Sequence, residues 1–166
     1  MLFRSPLQVA TKQLDDRGDL EARVAAVESL KEIARNSPQD YWSVMEILTS
    51  HLRRYARVPL AAGQTSTSAK DAKLAPDFQA ILSVLLHRDT QHESRDAVLD
   101  LRNTNLGQAD LRGIFLRYAD LRGASLIGTF LRSANLRDAN LRAARLNQAS
   151  LRGADLRGAK IGRAHV

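Results

Sequence analysis

From Leu99 onwards an aliphatic residue returns at every fifth position: Leu101, Leu106, Leu111, Leu116, Leu121, Leu126, Leu131, Leu136, Leu141, Leu146, Leu151, Leu156, Ile161 and Val166. Two places before each stands a small or aliphatic residue, first Leu99, Thr104, Ala109, Ile114, Ala119, Ala124 and Thr129, then alanine at 134, 139, 144, 149, 154, 159 and 164. Neither regular secondary structure can use this spacing. On an α-helix, leucines five apart would spiral over every face, and on a flat strand an odd step sends successive leucines to opposite faces. Both would leave half of them wet. A chain that turns a corner every five residues escapes the problem, because each side of a square coil can send its central Leu and the residue two before it inward. Successive coils would then stack at about 4.8 Å, the spacing of hydrogen-bonded strands, each covering its neighbour's open backbone.

The stretches Ala109-Asp110-Leu111-Arg112-Gly113, Ala119-Asp120-Leu121-Arg122-Gly123, Ala134-Asn135-Leu136-Arg137-Asp138 and Ala154-Asp155-Leu156-Arg157-Gly158 resemble the pentapeptide-repeat family, whose consensus is Ala-(Asp/Asn)-Leu-X-X. The resemblance runs from Leu99 to Val166, with thirteen complete units. It implies a right-handed quadrilateral β-helix of four pentapeptides per coil, a solenoid of about three coils. Departures from the consensus are Leu99, Thr104, Ile114 and Thr129 at the small position, and Phe115, Phe130, Arg145, Lys160 and His165 where the family prefers Asp, Asn or Ser.

Ahead of the repeat the pattern is helical. Leu7, Val9, Ala10 and Leu14 mark a short helix between about Ser5 and Asp16, interrupted by Gly18. From Asp19 to Arg35, Leu20, Val24, Val27, Leu30 and Ile33 or Ala34 form one apolar stripe, with acids near the start and bases near the end. Ser37-Pro38 reads as an N-cap serine followed by proline at the first helical position, opening a helix with Tyr41, Val44, Met45, Leu48, Leu52 and Tyr55 on one face. Gly63 to Ser68 has no periodicity and reads as loop, and Pro76-Asp77 opens a further helix ending near Arg88. The expected organisation is N-terminal helices over 1–58, a flexible linker over 59–75, a helix and connector over 76–98 and the repeat over 99–166. The expected class is therefore α+β, a small α-helical domain followed by the β-helix. Residues 28–37 with 44–49 are also similar to the helical region that precedes the solenoid in one bacterial and cyanobacterial group of these proteins. Members of that group often carry transmembrane helices further upstream.

The last six residues, Ile161 to Val166, match the in-frame translation of an adapter ligated to fragments in short-read sequencing. The expectation is that they are not biological and that the natural gene continues, leaving an accidental open edge that invites end-to-end self-association. No apolar run approaches the ~20 residues needed to cross a bilayer, and Met1 to Pro6 lacks a signal-peptide core, so a cytoplasmic location is expected. Membrane association would need upstream segments.

Charge is unevenly placed. Residues 1–98 balance thirteen Lys/Arg against thirteen Asp/Glu, whereas 99–166 carry twelve basic and five acidic residues, the whole of the net +7. Counting in twenties puts Arg102, Arg122 and Arg142 on one side of the square, Arg112, Arg132 and Arg152 on a second and Arg117, Arg137 and Arg157 on a third; Gly107, Ile127 and Asn147 occupy the fourth. Stacked at strand spacing, these guanidinium groups repel and should fan into solvent or toward neighbouring Asp and Asn. They form either a solvated surface or a docking surface for a polyanion, for which Arg112, Arg117, Arg132 and Arg137 are the candidates. Phe115, Tyr118 and Phe130 hold outward positions on two adjacent sides, where they either pack against the helical region or form a partner-binding patch.

Catalysis finds little support. With no cysteine, disulfides and thiolate metal sites are excluded, and His51, His87, His92 and His165 lack ligand spacing. Asp15-Asp16 and the repeat aspartates read as turn and solvation residues. The expectation is a protein without enzymatic activity, cofactor, metal or small-molecule substrate, acting as a protein-interaction or scaffold module, or alternatively as a binder of nucleic acid or anionic lipid. Known relatives of the repeat protect DNA gyrase by imitating duplex DNA in shape and negative charge. A basic repeat has the opposite sign, which disfavours that role.

Overall fold

The computed structural model describes residues 5–16, 18–57, 74–90, 93 and 97–162. Four α-helices come first: α1 (Pro6–Leu14), α2 (Leu20–Asn36), α3 (Tyr41–Tyr55) and α4 (Pro76–Leu86). Local chemistry fixes their starts. Ser5 and Gln8 form a reciprocal capping box on α1, with Pro6 in its first turn. Asp19 accepts from the Ala22 N–H at 2.9 Å to open α2, and Glu21 and Arg35 complement its two ends. Pro76 and Asp77 open α4, Asp77 Oδ1 accepting from the Phe78 N–H at 3.1 Å.

The Ser37-Pro38 expectation fails. Ser37 closes α2, its N–H donating to the Ile33 carbonyl at 2.9 Å, and its hydroxyl donates to Asp40 at 2.7 Å. Asp40, without a side-chain cap bond of its own, stands ahead of α3. The expected loop over Gly63 to Ser68, the histidines His92 and His165, and the last four residues of the suspected adapter lie outside the described residues.

Helix packing follows the apolar stripes. Ala26, Val27, Leu30 and Ala34 of α2 meet Val44, Met45, Leu48 and Leu52 of α3 and Ile81, Leu82 and Leu85 of α4, all buried. At the start of α2 the stripe is less covered, with Leu20 40% exposed and Val24 half-buried.

Residues 97–162 correct the expected class. Among the described residues no β-strand forms, so neither the α+β class nor the right-handed quadrilateral β-helix solenoid stands; the regular elements there are the four α-helices. The repeat instead holds together through isolated parallel bridges twenty residues apart, Asp100↔Asp120, Asn105↔Ser125, Asp110↔Phe130, Phe115↔Asn135 and onward to Asn140↔Lys160. The reason is the length of the unit. Two residues of each five are spent on a turn closed by a bond such as Ala124 N–H to the Leu121 carbonyl at 3.0 Å, and a single residue per unit is left to bridge. A ladder that stops after one residue cannot become a strand.

Those bridges still stack the chain in circuits of twenty. Leu101, Leu106, Leu111, Leu116, Leu121, Leu126, Leu131, Leu136, Leu141 and Leu146 are all buried, while Leu151 and Leu156 on the last circuit are half-buried. Burying such a leucine is worth roughly 1.5–3 kcal/mol. Thr104 and Thr129 occupy small-residue positions at full burial because each hydroxyl finds an internal carbonyl, Leu101 at 2.6 Å and Leu106 at 2.9 Å. Helices and circuits share one continuous apolar cluster.

The end of α3 covers the first circuit. Asn105 N–H donates to the Ala56 carbonyl at 2.5 Å, Arg57 and Thr104 form an antiparallel bridge, and Arg53 Nη1 donates to the Asp100 carbonyl at 2.7 Å. An open backbone edge is thereby closed.

Candidate interaction surface

Each five-residue unit carries the residue that bridges and the residue two beyond it, separated by an inward leucine. In the sequence Asp-Leu-Arg these two are a carboxylate and a guanidinium, close enough to close a local ring. Asp110 and Arg112 do so at 2.8 Å and 2.5 Å, Asp120 and Arg122 at 2.9 Å and 2.6 Å, and Asp155 and Arg157 at 2.9 Å and 2.6 Å. Asp100 and Arg102 make the same bidentate pair. Hydrogen bonds from the arginines hold the carboxyls of Asp100 and Asp110 below the usual carboxylate range and bring Asp155 down to about 2.

The four arginine candidates therefore separate. Arg112 is held by Asp110. Arg117 lies 3.5 Å from Asp138 and stacks over the Tyr118 ring at 4.5 Å. Arg137 stands 3.9 Å from Asp155. Arg132 is exposed and has no ion-pair partner among the described residues. Arg142 and Arg152 are likewise exposed without an ion-pair partner among the described residues, and the half-buried Arg145 also lacks one; an aspartate two places earlier marks Arg112, whereas Arg117 and Arg137 reach carboxylates on the next circuit.

The three aromatic candidates separate too. Phe115 is half-buried against the helical region, where Arg88 Nη2 donates to its carbonyl and the Arg88 guanidinium lies 5.8 Å from its ring. Tyr118 is 43% exposed and Phe130 48% exposed. Phe130 follows Asp110 and precedes Ser150 in one bridged column, with Arg112, Arg132 and Arg152 beside it. Aromatic and cation thus share one face of a backbone fixed by bonds above and below it.

Several cavities lie in the helical region, among them an open one between α1 and α2 beside Val9, Gln13, Glu28 and Ile33. One of about 570 Å³ is lined by Lys31, Arg35, Tyr41, Met45, Val84 and His87, but the Tyr41 phenol is committed to the Asp89 carbonyl at 2.6 Å. A smaller one of about 190 Å³ touches Arg23, His51, Tyr55, Asp77 and Phe78. Among the described residues no three His, Cys, Asp or Glu side chains are placed to share a metal ion, and no helix is long and apolar enough to cross a membrane.

The family model for pentapeptide repeats matches residues 100–138 and 134–165. Among solved structures the chain is similar to the pentapeptide repeat protein Rfr23 from the cyanobacterium Cyanothece 51142, at 38% identity over 43% of this chain and 48% of that one, TM-score 0.39. It is similar also to HetL from Nostoc sp. strain PCC 7120, a pentapeptide repeat protein involved in heterocyst differentiation regulation, at 36% identity over 40% of this chain and 35% of that one, TM-score 0.23. A third is alr5209 from Nostoc PCC 7120, at 41% identity over 39% of this chain and 66% of that one, TM-score 0.20. The chain spans about half the length of the first of these. No curated protein matches it.

Proposed function

We propose, from the premise that residues 100–165 are a segment of the pentapeptide-repeat family, that this chain is a non-catalytic protein-interaction module which docks through the face carrying Phe130. The observation that carries this reading is the exposure of Phe130, 48%, on a backbone held in register by bonds to Ala109 and Ser150. An exposed aromatic on a rigid support supplies contact area at small entropic cost, which is how interface anchors work. Tyr118 adds a second ring round the corner, already braced by Arg117.

A polyanion-binding reading is favoured by a separate observation, that Arg132, Arg142, Arg145 and Arg152 have no ion-pair partner among the described residues. The two readings differ in their response to salt. Binding through Phe130 and Tyr118 persists when salt rises, whereas phosphate binding falls steeply because it is driven by released counterions. The test compares capture of partner proteins by the intact chain and by Phe130→Ala/Tyr118→Ala at low and high salt, alongside titration of duplex DNA, RNA and anionic vesicles. Capture that survives high salt and is lost in the double variant supports protein interaction. Salt-sensitive binding to DNA, RNA or vesicles, indifferent to the two aromatics, overturns it.

A further inference from the structure

We propose that the partner presents an acidic, extended segment with an apolar side chain, and that its carboxylates take Arg132 and Arg152. This rests on the reading that the Phe130 face is the docking surface. The repeat itself supplies the argument, because one face carries three successive versions of the same outward pair: Asp110-Leu111-Arg112, Phe130-Leu131-Arg132 and Ser150-Leu151-Arg152. In the first, the carboxylate and guanidinium close a two-bond ring. Phe130 and Ser150 stand directly above in the same column, bridged Asp110↔Phe130 and Phe130↔Ser150, at the place where the carboxylate would be. Arg132 and Arg152 are thus oriented by the same backbone as Arg112 yet have no carboxylate partner among the described residues.

An arginine fork recognises a carboxylate in the plane of its two N–H groups. A partner carboxylate laid along the column would reproduce from outside the pair that Asp110 makes from within. Phe130, level with Arg132 in the neighbouring column, receives the apolar side chain. A nucleic acid fits less well. This face offers two unpaired guanidinium groups with Arg145 on the adjoining side, against the ~6–10 phosphate contacts that drive strong salt-dependent duplex binding. Asp110 on the same face also interrupts the run of positive charge.

The experiment measures fluorescence anisotropy of the full chain with a labelled Glu-rich peptide bearing one central Leu, a Lys-rich peptide of equal length, and a single-stranded and a duplex oligonucleotide. Arg132→Gln/Arg152→Gln should weaken the Glu-rich peptide by roughly tenfold, and Ser150→Asp, which returns an internal partner to Arg152, should weaken it in the same direction. Arg112→Gln, whose arginine is already occupied, should leave affinity within about twofold. Circular dichroism melts of each variant confirm folding. The proposal is overturned if the Glu-rich peptide fails to bind at low salt, if Arg112→Gln costs as much as the double change, or if either oligonucleotide binds more tightly than the peptide. Failure here with salt-resistant, Phe130-dependent capture intact would remove the acidic segment and leave the docking face standing.

Discussion

Each turn of the repeat demands one residue in the left-handed region, and the chain meets that demand unevenly. Gly113, Gly123, Gly153 and Gly158 hold φ between 66° and 72°, but Ala143 holds 58° and Ser133 58° at the equivalent place. A side chain there costs about 1–2 kcal/mol, offset in part by the freedom glycine loses on folding. Gly113 is a clean test, since a Cβ added to it would meet nothing within 4 Å and the effect is conformational alone. Gly113→Ala should destabilise the chain by about 1 kcal/mol, and Ala143→Gly should stabilise it by somewhat less. Urea denaturation midpoints read both; a Gly113→Ala midpoint equal to that of the parent chain would mean the corner is not held at positive φ. Nothing in the five-residue period announces which corners carry this strain, because the period is written in the inward residues and the corner points outward.

The helices were readable where one stripe of apolar residues sufficed, as on α2 and α3, and misread where a single polar residue had two uses. Ser37-Pro38 has the composition of a helix start, yet the N–H of Ser37 is engaged by Ile33 behind it, so the residue ends α2. The period of five was legible from the leucines, whereas the absence of strands among the described residues follows from the count of residues left after each turn. The arginine candidates do not sort by one spacing, because Arg112 pairs with the residue two places earlier whereas Arg117 and Arg137 reach Asp138 and Asp155 on the next circuit. Long-range polar contacts were hidden altogether. His51 of α3, 4% exposed, lies 3.7 Å from Asp15 after α1 and 4.0 Å from Asp77 on α4, while Arg23 of α2 donates to Asp77 at 2.7 Å. Burial pushes the His51 pKa down, against the opposing pull of Asp77 and Asp15 and with some help from Arg23. The unfolded chain therefore binds the proton more readily, so stability is complete above the ordinary histidine value of about 6.5 and is lost as pH falls through the lower folded value. Melting temperature should drop as pH falls below about 6.5, and His51→Gln should flatten that segment. The Asp100, Asp110 and Asp155 carboxyls, held low by their arginines, act only below about pH 4. An identical slope in His51→Gln would assign the acid sensitivity elsewhere.

Cooperativity between the helices and the circuits rests on a joint as well as on shared apolar burial. Leu126 lies at 0% exposure in the middle circuit, and Leu126→Asp would place an unpaired carboxylate there, at a cost of several kcal/mol. An unchanged circular dichroism melt would place that side chain in water instead. The joint itself is Arg88, with a side chain 1% exposed. Its Nε pairs with Glu93 at 2.7 Å, its Nη1 donates to the Leu85 carbonyl at the end of α4 at 2.9 Å, and its Nη2 donates to the Phe115 carbonyl in the first circuit. One guanidinium therefore ties the last helix to the repeat and donates to a carbonyl of each. Arg88→Met keeps most of the volume and removes every one of those bonds, leaving Glu93, whose side chain is 13% exposed, without its cation. Removing one member of such a buried pair costs about 3–5 kcal/mol, most of it the stranded charge. Replacing both members with apolar residues is far less damaging, so Arg88→Met/Glu93→Leu should recover more than half of the loss. Urea unfolding followed by tryptophan fluorescence at Trp42 on α3 and by far-ultraviolet circular dichroism separates the outcomes. The parent chain should show coincident transitions, and Arg88→Met should split them, because α3 then loses its tie to the circuits through α4. Transitions that remain coincident and unshifted in Arg88→Met would show that the apolar cluster and the contacts from Ala56 and Arg57 suffice to couple the two halves.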